Sequence, residues 1–305
     1  MSDHPLTNAN GLTEAQFLAT YDADAYEHPS VTVDMLIFTV MDLEQNNYRK
    51  LPQKSLQLLL IKRGEHPYLG QWALPGGFVA VDESIEDAAR RELYSETNIE
   101  DLYMEQLFTW GAVHRDPRTR VISCSYMALV DRTTLDVQAG DDAAEAAWFD
   151  VSYVIEAEHR TITEQGTETE KRVRIKLQNE QETLSAVVRI VESVKGRIKK
   201  LSREIVESEG IAFDHSIMIE YAIERLRGKA EYTDIVFNLM PPLFTLSELQ
   251  RVYEIILGKE LLAAAFRRKM ADAVTETEEF TKDAGHRPSK LYRYNQSGAI
   301  DRPQR

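Results

Sequence analysis

The stretch from Gly77 to Ile99, GFVAVDESIEDAARRELYSETNI, constrains this chain more than any other. A glycine-ended strand runs into a short loop and then into a helix carrying carboxylates at regular intervals. If Ser84 caps that helix with Asp87 reaching back, Ile85, Ala88, Ala89 and Leu93 fall on one apolar stripe. Glu92 and Glu96, four residues apart, then share a solvent-facing side. Two carboxylates one turn apart, beside the backbone carbonyls of a Gly76-Gly77 turn, are hard oxygen ligands. Mg²⁺ takes such ligands while keeping several waters and binding substrate phosphates. The plainer alternative is an amphipathic helix with a solvated acidic face. A like-charge pair at this spacing costs only about a few tenths of a kcal/mol, so the pair alone demands no metal.

A chain of 305 residues is long enough for two domains, at roughly 100–200 residues each. With 43% hydrophobic and 28% charged residues its composition is that of a soluble globular protein. No apolar run approaches the ~20 residues that span a bilayer, and the N-terminus has neither the basic region nor the apolar core of a signal peptide. The single cysteine, Cys124, suits a reducing compartment. A cytoplasmic protein without a membrane partner is the expectation. The net charge of −14 opposes nonspecific binding to polyanions. Residues 228–305, however, carry 12 Lys/Arg against 11 Asp/Glu, so a C-terminal domain can still present a basic patch.

The constellation of Gly77, Glu83, Arg91, Glu92, Leu93, Glu96 and Ile99 resembles the Nudix box, G-x5-E-x7-R-E-U-x-E-E-x-G-U with U aliphatic. Two positions depart from it: Ser95 replaces the first glutamate of the E-E pair, and Asn98 replaces the glycine. The resemblance implies an α/β/α sandwich in which Glu92, Glu96 and the Gly76 carbonyl hold Mg²⁺ or Mn²⁺, while Glu83 and Arg91 tie loop to helix. Catalytic roles, where retained, would fall to Glu92, Glu96, Arg91 and Glu83, and the loss at Ser95 weakens the metal site.

Around that box the chain divides into an N-terminal helical extension (1–30), a Nudix domain (31–155), a hairpin with a long helical insertion (156–212) and a C-terminal domain (213–305). In the first of these a short helix is expected over 11–27 with Thr13 as cap. Val31–Val40 and Leu56–Lys62 read as strands, as do Gln106–Val113 and Val121–Val130. Trp72 reads as core, or as the border of a ligand pocket. Arg115-Asp116-Pro117-Arg118 resembles the loop of Nudix proteins that recognise ADP-ribose, with Thr119 where a glycine is expected. Arg115, Arg118 and Arg120 are the candidate ligand contacts, since guanidinium groups bind phosphates in a bidentate manner. Asp141, Asp142 and Glu145 are candidates for a general base. Thr161–Gln178 alternates as a hairpin turning at Gly166. Leu184, Val187, Val191, Val194, Ile198, Leu201 and Ile205 follow a 3-4 spacing that predicts a heptad helix contributing to a homodimer, with Gly196 inside it.

Asp214–Arg227 reads as an amphipathic helix stopped by Gly228. Thr245-Leu-Ser-Glu248 is a capping box that opens a helix ending at Gly258. A second helix bears Phe266-Arg267-Arg268-Lys269-Met270, and His286–Tyr294 reads as a basic strand. That order is the order of a winged helix-turn-helix. These stretches resemble the C-terminal domain of Nudix-related transcriptional regulators, which control NAD metabolism genes and respond to ADP-ribose. Arg267, Arg268, Lys269, Arg287, Lys290 and Arg293 are the candidate DNA contacts. Ala263-Ala264-Ala265 stand where polar residues are expected, leaving those cations mainly for phosphates. The overall expectation is an α+β protein, a Nudix sandwich followed by a winged helix. It would be a regulator binding an ADP-ribose-like nucleotide and operator DNA, with weak or no hydrolase activity. The alternatives are a Mg²⁺-dependent ADP-ribose pyrophosphatase yielding AMP and ribose 5-phosphate, and an inactive scaffold.

Overall fold

The computed structural model describes residues 6–43, 53–99, 102–134, 143–163, 166–281 and 288–296. A helix α1 (Glu14–Thr20), opened by a capping box between Thr13 and Gln16, precedes β1 (Ser30–Leu43). Then follow β2 (Gln53–Arg63), β3 (Trp72–Ala73), β4 (Gly76–Phe78), α2 (Ile85–Thr97), β5 (Tyr103–Trp110) and β6 (Val121–Leu129). A run of long strands comes next: β7 (Ala143–Thr163), β8 (Gly166–Gln178), β9 (Thr183–Lys195) and β10 (Ile198–Glu209). The C-terminal part holds α3 (His215–Tyr232), α4 (Leu246–Leu257), α5 (Ala263–Met270) and the hairpin β11 (Val274–Phe280)–β12 (Lys290–Tyr294).

The first ten strands form one sheet with the order β10-β9-β8-β7-β2-β1-β6-β5, β3 being added to β2 and β4 to β1. The two-residue period of β1 sends Val33, Met35 and Ile37 to one face, where Ala88, Ala89 and Leu93 of α2 cover them. Leu36, Phe38 and Val40 point to the other face and join a core with Met218, Ile219, Ala222 and Ile223 of α3. Helix, sheet and helix thus form the α/β/α sandwich. The second core continues without a break through Leu249, Val252, Tyr253 and Ile256 of α4 to Phe266 and Met270 of α5.

Residues 183–209 depart from the expected heptad helix: they form the β9–β10 hairpin, turning at Gly196 with φ of 59°. The 3-4 spacing of the apolar residues was coincidental. Leu184, Ala186, Val188 and Ile190 alternate into the core, while Ile198 and Leu201 remain exposed on an edge strand. The β-branched residues Val187, Val188, Ile190, Val191 and Val194 favour the pleated surface, and a left-handed glycine at the turn completes the hairpin. A dimer seam on that helix therefore has no basis in the fold. Helix α3 likewise passes through Gly228 to Tyr232. A helical glycine costs about 1 kcal/mol relative to alanine, which burial of Leu226 and Ala230 on either side offsets.

In the C-terminal domain Thr245 and Glu248 cap α4 reciprocally, and Gly258 closes it in the left-handed conformation. Backbone bonds between Phe244 and Tyr292 fasten the β11–β12 wing to the start of that helix. No described helix is long and apolar enough to cross a membrane.

Candidate functional site

Helix α2 meets β4 at a glycine. A Cβ on Gly77 would lie 2.3 Å from Glu92 Oε1, so the absence of a side chain lets the carboxylate close against the strand. Arg91 donates to Glu83 at 2.8 and 3.1 Å and to the Phe78 carbonyl at 3.2 Å, and its guanidinium also pairs with Glu92. Glu83 in turn accepts the Ala80 N–H. The Arg91 hydrogen bonds hold the Glu83 carboxyl well below the usual range, at about 2. Arg91 and Glu83 thus join loop, strand and helix.

Glu92 and Glu96 do not face solvent, as the helical spacing alone suggested. Glu92 is half-buried, and Glu96 is only 4% exposed because α2 lies flat on the sheet. Burial, and then the neighbouring Glu92, push the Glu96 carboxyl up to about 7, and burial likewise raises Glu92. Glu96 Oε2 is buried without a hydrogen-bond partner. A buried orphan oxygen beside a second carboxylate, with Gly76 in the adjoining strand, suits a divalent cation that completes its shell with water. Among the described residues no group of three or more His, Cys, Asp and Glu is arranged so that it could hold a metal ion by itself. Ser95, where the box has another glutamate, is exposed and donates its hydroxyl to the Glu92 carbonyl. Asn98, where the box has glycine, caps α2 with φ of 56° and ψ of 28°.

The three loop arginines separate. Arg115 is not a free ligand contact: its side chain is 5% exposed and binds Asp214 in a bidentate manner at 2.8 and 3.0 Å, with Asp34 at 3.6 Å. Arg120 is spent on the carbonyls of Gly111, Ala112 and Val121. Arg118 is 44% exposed, pairs with Asp116 and lies 5.6 Å above the ring of Phe78. Of the three it alone reaches outwards beside β4. Trp72 does not border a pocket. It is 1% exposed, stacks edge-on against Phe149 at 4.7 Å and donates Nε1–H to Glu182. Asp141 and Asp142 lie outside the described residues, and Glu145 sits opposite Lys62 in the β2–β7 ladder.

Sequence reasoning missed the cluster that Arg115 joins. Asp34 on β1 is buried, accepts the Ser123 hydroxyl and faces both Arg115 and, at 3.6 Å, His215 Nε2. His215 Nδ1 accepts the Leu74 N–H at 2.9 Å, and burial lowers its pKa to about 4, so the ring is neutral. Desolvation raises Asp34, opposed by Arg115. The cluster binds the Nudix sheet to the first turn of α3. Its partners lie 99 residues apart in sequence, and no local spacing announces them.

On the C-terminal domain Arg267 and Arg268 project from α5 into solvent. Lys269 instead donates to the Glu231 carbonyl and lies over Tyr253, which turns it towards α3. Lys290 pairs with Glu276 across the wing, Arg293 is exposed, and Arg287 lies outside the described residues. A cavity of about 400 Å³ opens between the domains, lined by Tyr103, Lys229, Asn238 and Tyr294, on the far side of α3 from its first turn.

Comparison with known proteins agrees with this arrangement. Residues 50–168 match the NUDIX domain model and residues 236–294 the NrtR DNA-binding winged helix domain. The ADPR responsive transcriptional repressor NtrR of Acinetobacter baylyi is 34% identical over 93% of this chain and 90% of its own. A MutT/nudix family protein from Enterococcus faecalis superposes with a TM-score of 0.63 at 29% identity, covering 93% of this chain and 94% of the other. NrtR of Shewanella oneidensis, solved with a 27mer DNA, superposes with a TM-score of 0.58 at 28% identity over 88% of this chain and 95% of its own. Both domain models are matched in order and one relative runs alongside nearly the whole chain: the chain belongs to the NrtR family of Nudix-domain proteins with a C-terminal winged helix.

Proposed function

We propose that the protein is a transcriptional regulator of NAD metabolism that binds ADP-ribose or a related NAD-derived nucleotide in its Nudix half and operator DNA through its winged helix. The observation that supports this reading is the unbroken core from the sheet through α3 to α4 and α5, which joins the sheet of the Nudix half to the winged helix in one packed body. Glu92, Glu96 and the Gly76 carbonyl would hold Mg²⁺ or Mn²⁺, which neutralises diphosphate charge when bound. Arg118 offers its guanidinium to a phosphate, and Arg91 fixes the carboxylates in place. Arg267 and Arg268 supply phosphate contacts from α5, with Arg293 on the wing. Two copies of the chain would occupy the half-sites of a palindromic operator.

Selection of duplexes from a random pool, followed by mobility shifts with and without ADP-ribose, tests the reading. A selected duplex should be bound, its affinity should change with ADP-ribose, and the Arg267→Glu, Arg268→Glu protein should lose it while keeping nucleotide affinity. Equal duplex binding by wild type and variant would remove the winged helix from the account. Light scattering at twice the chain mass would support the dimer, and a monomer on the duplex would end it.

Hydrolysis is the second reading, favoured by the survival of Glu92, Glu96 and Arg91 together. AMP formation from ADP-ribose with Mg²⁺, lost in Glu92→Gln, would make the protein a hydrolase as well. Nucleotide binding without turnover would leave a sensor pocket.

A further inference from the structure

We propose that the nucleotide groove extends beyond the Nudix half and that Tyr68 and Phe213 form a stacking subsite for its planar base; the proposal rests on the nucleotide-binding reading above. Tyr68 lies in the loop after β2, and Phe213 lies just ahead of α3. Three non-glycine residues among those described have positive φ: Tyr68 at 62°, Asn98 at 56° and Phe213 at 53°. Asn98 ends a helix, where the left-handed conformation is common. Bulky aromatic residues rarely take it, and when they do the surroundings hold them there for a reason. Here two such backbones bring two rings together, their centroids 4.6 Å apart and tilted by 56°.

A ladder of rings and guanidiniums connects this pair to the carboxylates. Glu92 fills the space over Gly77, and the next residue, Phe78, carries Arg118 at 5.6 Å. Arg63 lies within electrostatic reach of Arg118 and Asp116. Its Nε donates to the Pro67 carbonyl at 2.7 Å, and its guanidinium rests 5.0 Å from the ring of Phe213. Tyr68 stands beyond, 36% exposed, beside an exposed Leu69. The sequence from cation ligands to paired guanidiniums to an aromatic surface follows the order of a dinucleotide-like ligand: a metal-bound diphosphate, then a base. Stacking on aromatic rings accepts any planar base. Phe213 directly precedes Asp214 and His215, so a base seated there touches the segment that starts α3 and leads towards the winged helix.

Calorimetry with Mg²⁺ on the full-length protein tests this, using ADP-ribose, AMP and ribose 5-phosphate against wild type, Tyr68→Gly, Phe213→Gly and Phe213→Leu. Glycine relieves the left-handed backbone but loses the ring's contacts and gives the unfolded chain more freedom, so the glycine variants should stay folded with a melting temperature modestly below that of wild type. ADP-ribose and AMP should bind these variants roughly five- to a hundredfold more weakly, the range expected for one lost stacking contact. Ribose 5-phosphate, which has no base, should bind all four proteins alike. Unchanged ADP-ribose affinity in the variants, or equal weakening of ribose 5-phosphate, overturns the subsite alone. Wild-type protein that binds none of the three ligands overturns the nucleotide reading and the subsite with it.

Discussion

Two clusters of charged side chains meet at β4 and have opposite character. On one side Asp34 abuts Gly76 and is enclosed with Ser123, Arg115, Asp214 and His215, each charge held by a partner. On the other, Glu92 abuts Gly77 beside Glu96, and one buried oxygen has no partner at all. Burying charge is costly in both places. In the first cluster the cost is met within the chain, by a bidentate arginine from a loop and the first turn of α3. In the second it is left open. The closed cluster is therefore a clamp between sheet and helix, and the open one is the site proposed above for a divalent cation. Similar residue types in similar burial do different work because one set is complete.

The sharpest way to break that contrast is to open the clamp. Arg115→Ala leaves the buried Asp34 and the half-buried Asp214 without their counter-charge, and we expect about 3–5 kcal/mol of lost stability in urea unfolding. A loss below about 1 kcal/mol would mean that the loop is mere surface. The next effect comes from the open side. With the Glu96 pKa raised to about 7 from an ordinary 4.5, the folded protein keeps a proton that the unfolded chain sheds between those values. Folded stability in EDTA should therefore fall as pH rises from about 4.5 to about 7 and stay level above. The drop should be about 3 kcal/mol at most, and Glu96→Gln should flatten it. Mg²⁺ should restore the loss at pH 8 and do little at pH 5, because the ion must displace that proton. A pH profile identical in wild type and Glu96→Gln would show that the carboxyl is not strained by burial.

The contrast also explains what could be read in advance. The box from Gly77 to Ile99 is local, and its spacing suffices to place Glu83, Arg91, Glu92 and Glu96 about one helix and one strand. The Thr245–Glu248 cap and the Gly258 stop are local in the same way. Arg115 is not, because its role is set by Asp214, which lies far along the chain and carries no motif. Residues 184–205 failed for a different reason. A 3-4 apolar spacing and a two-sided strand pattern coincide when both faces of a hairpin carry aliphatic residues, and only the β-branched composition and the Gly196 turn separate them. Tyr68 and Phe213 gave no signal, since left-handed aromatic residues have no sequence signature.

Arg118 tests the outer edge of the open cluster. It is partly exposed and paired with Asp116, so Arg118→Ala should change stability by less than about 1 kcal/mol. A lost charge-assisted bond to a phosphate should nevertheless weaken ADP-ribose binding roughly ten- to hundredfold. Unaltered affinity would exclude this arginine from the groove.

The smallest effect concerns the departure at Asn98. This residue ends α2 in the left-handed conformation, and its N–H donates to the Tyr94 carbonyl at 2.7 Å. The position requires positive φ, which glycine adopts without penalty and asparagine tolerates better than other side chains. Asn98→Gly relieves that strain but gives the unfolded chain more freedom, so the two terms nearly cancel and a gain within about 0.5 kcal/mol is expected. Asn98→Val, whose branched Cβ opposes the conformation, should lose about 1–2 kcal/mol by thermal melting. Because Asn98 lies two residues beyond Glu96, the glycine variant should leave Mg²⁺ affinity unchanged. The missing box glycine would then be a matter of helix capping, independent of the open cluster, and a shift in metal affinity would instead join the two.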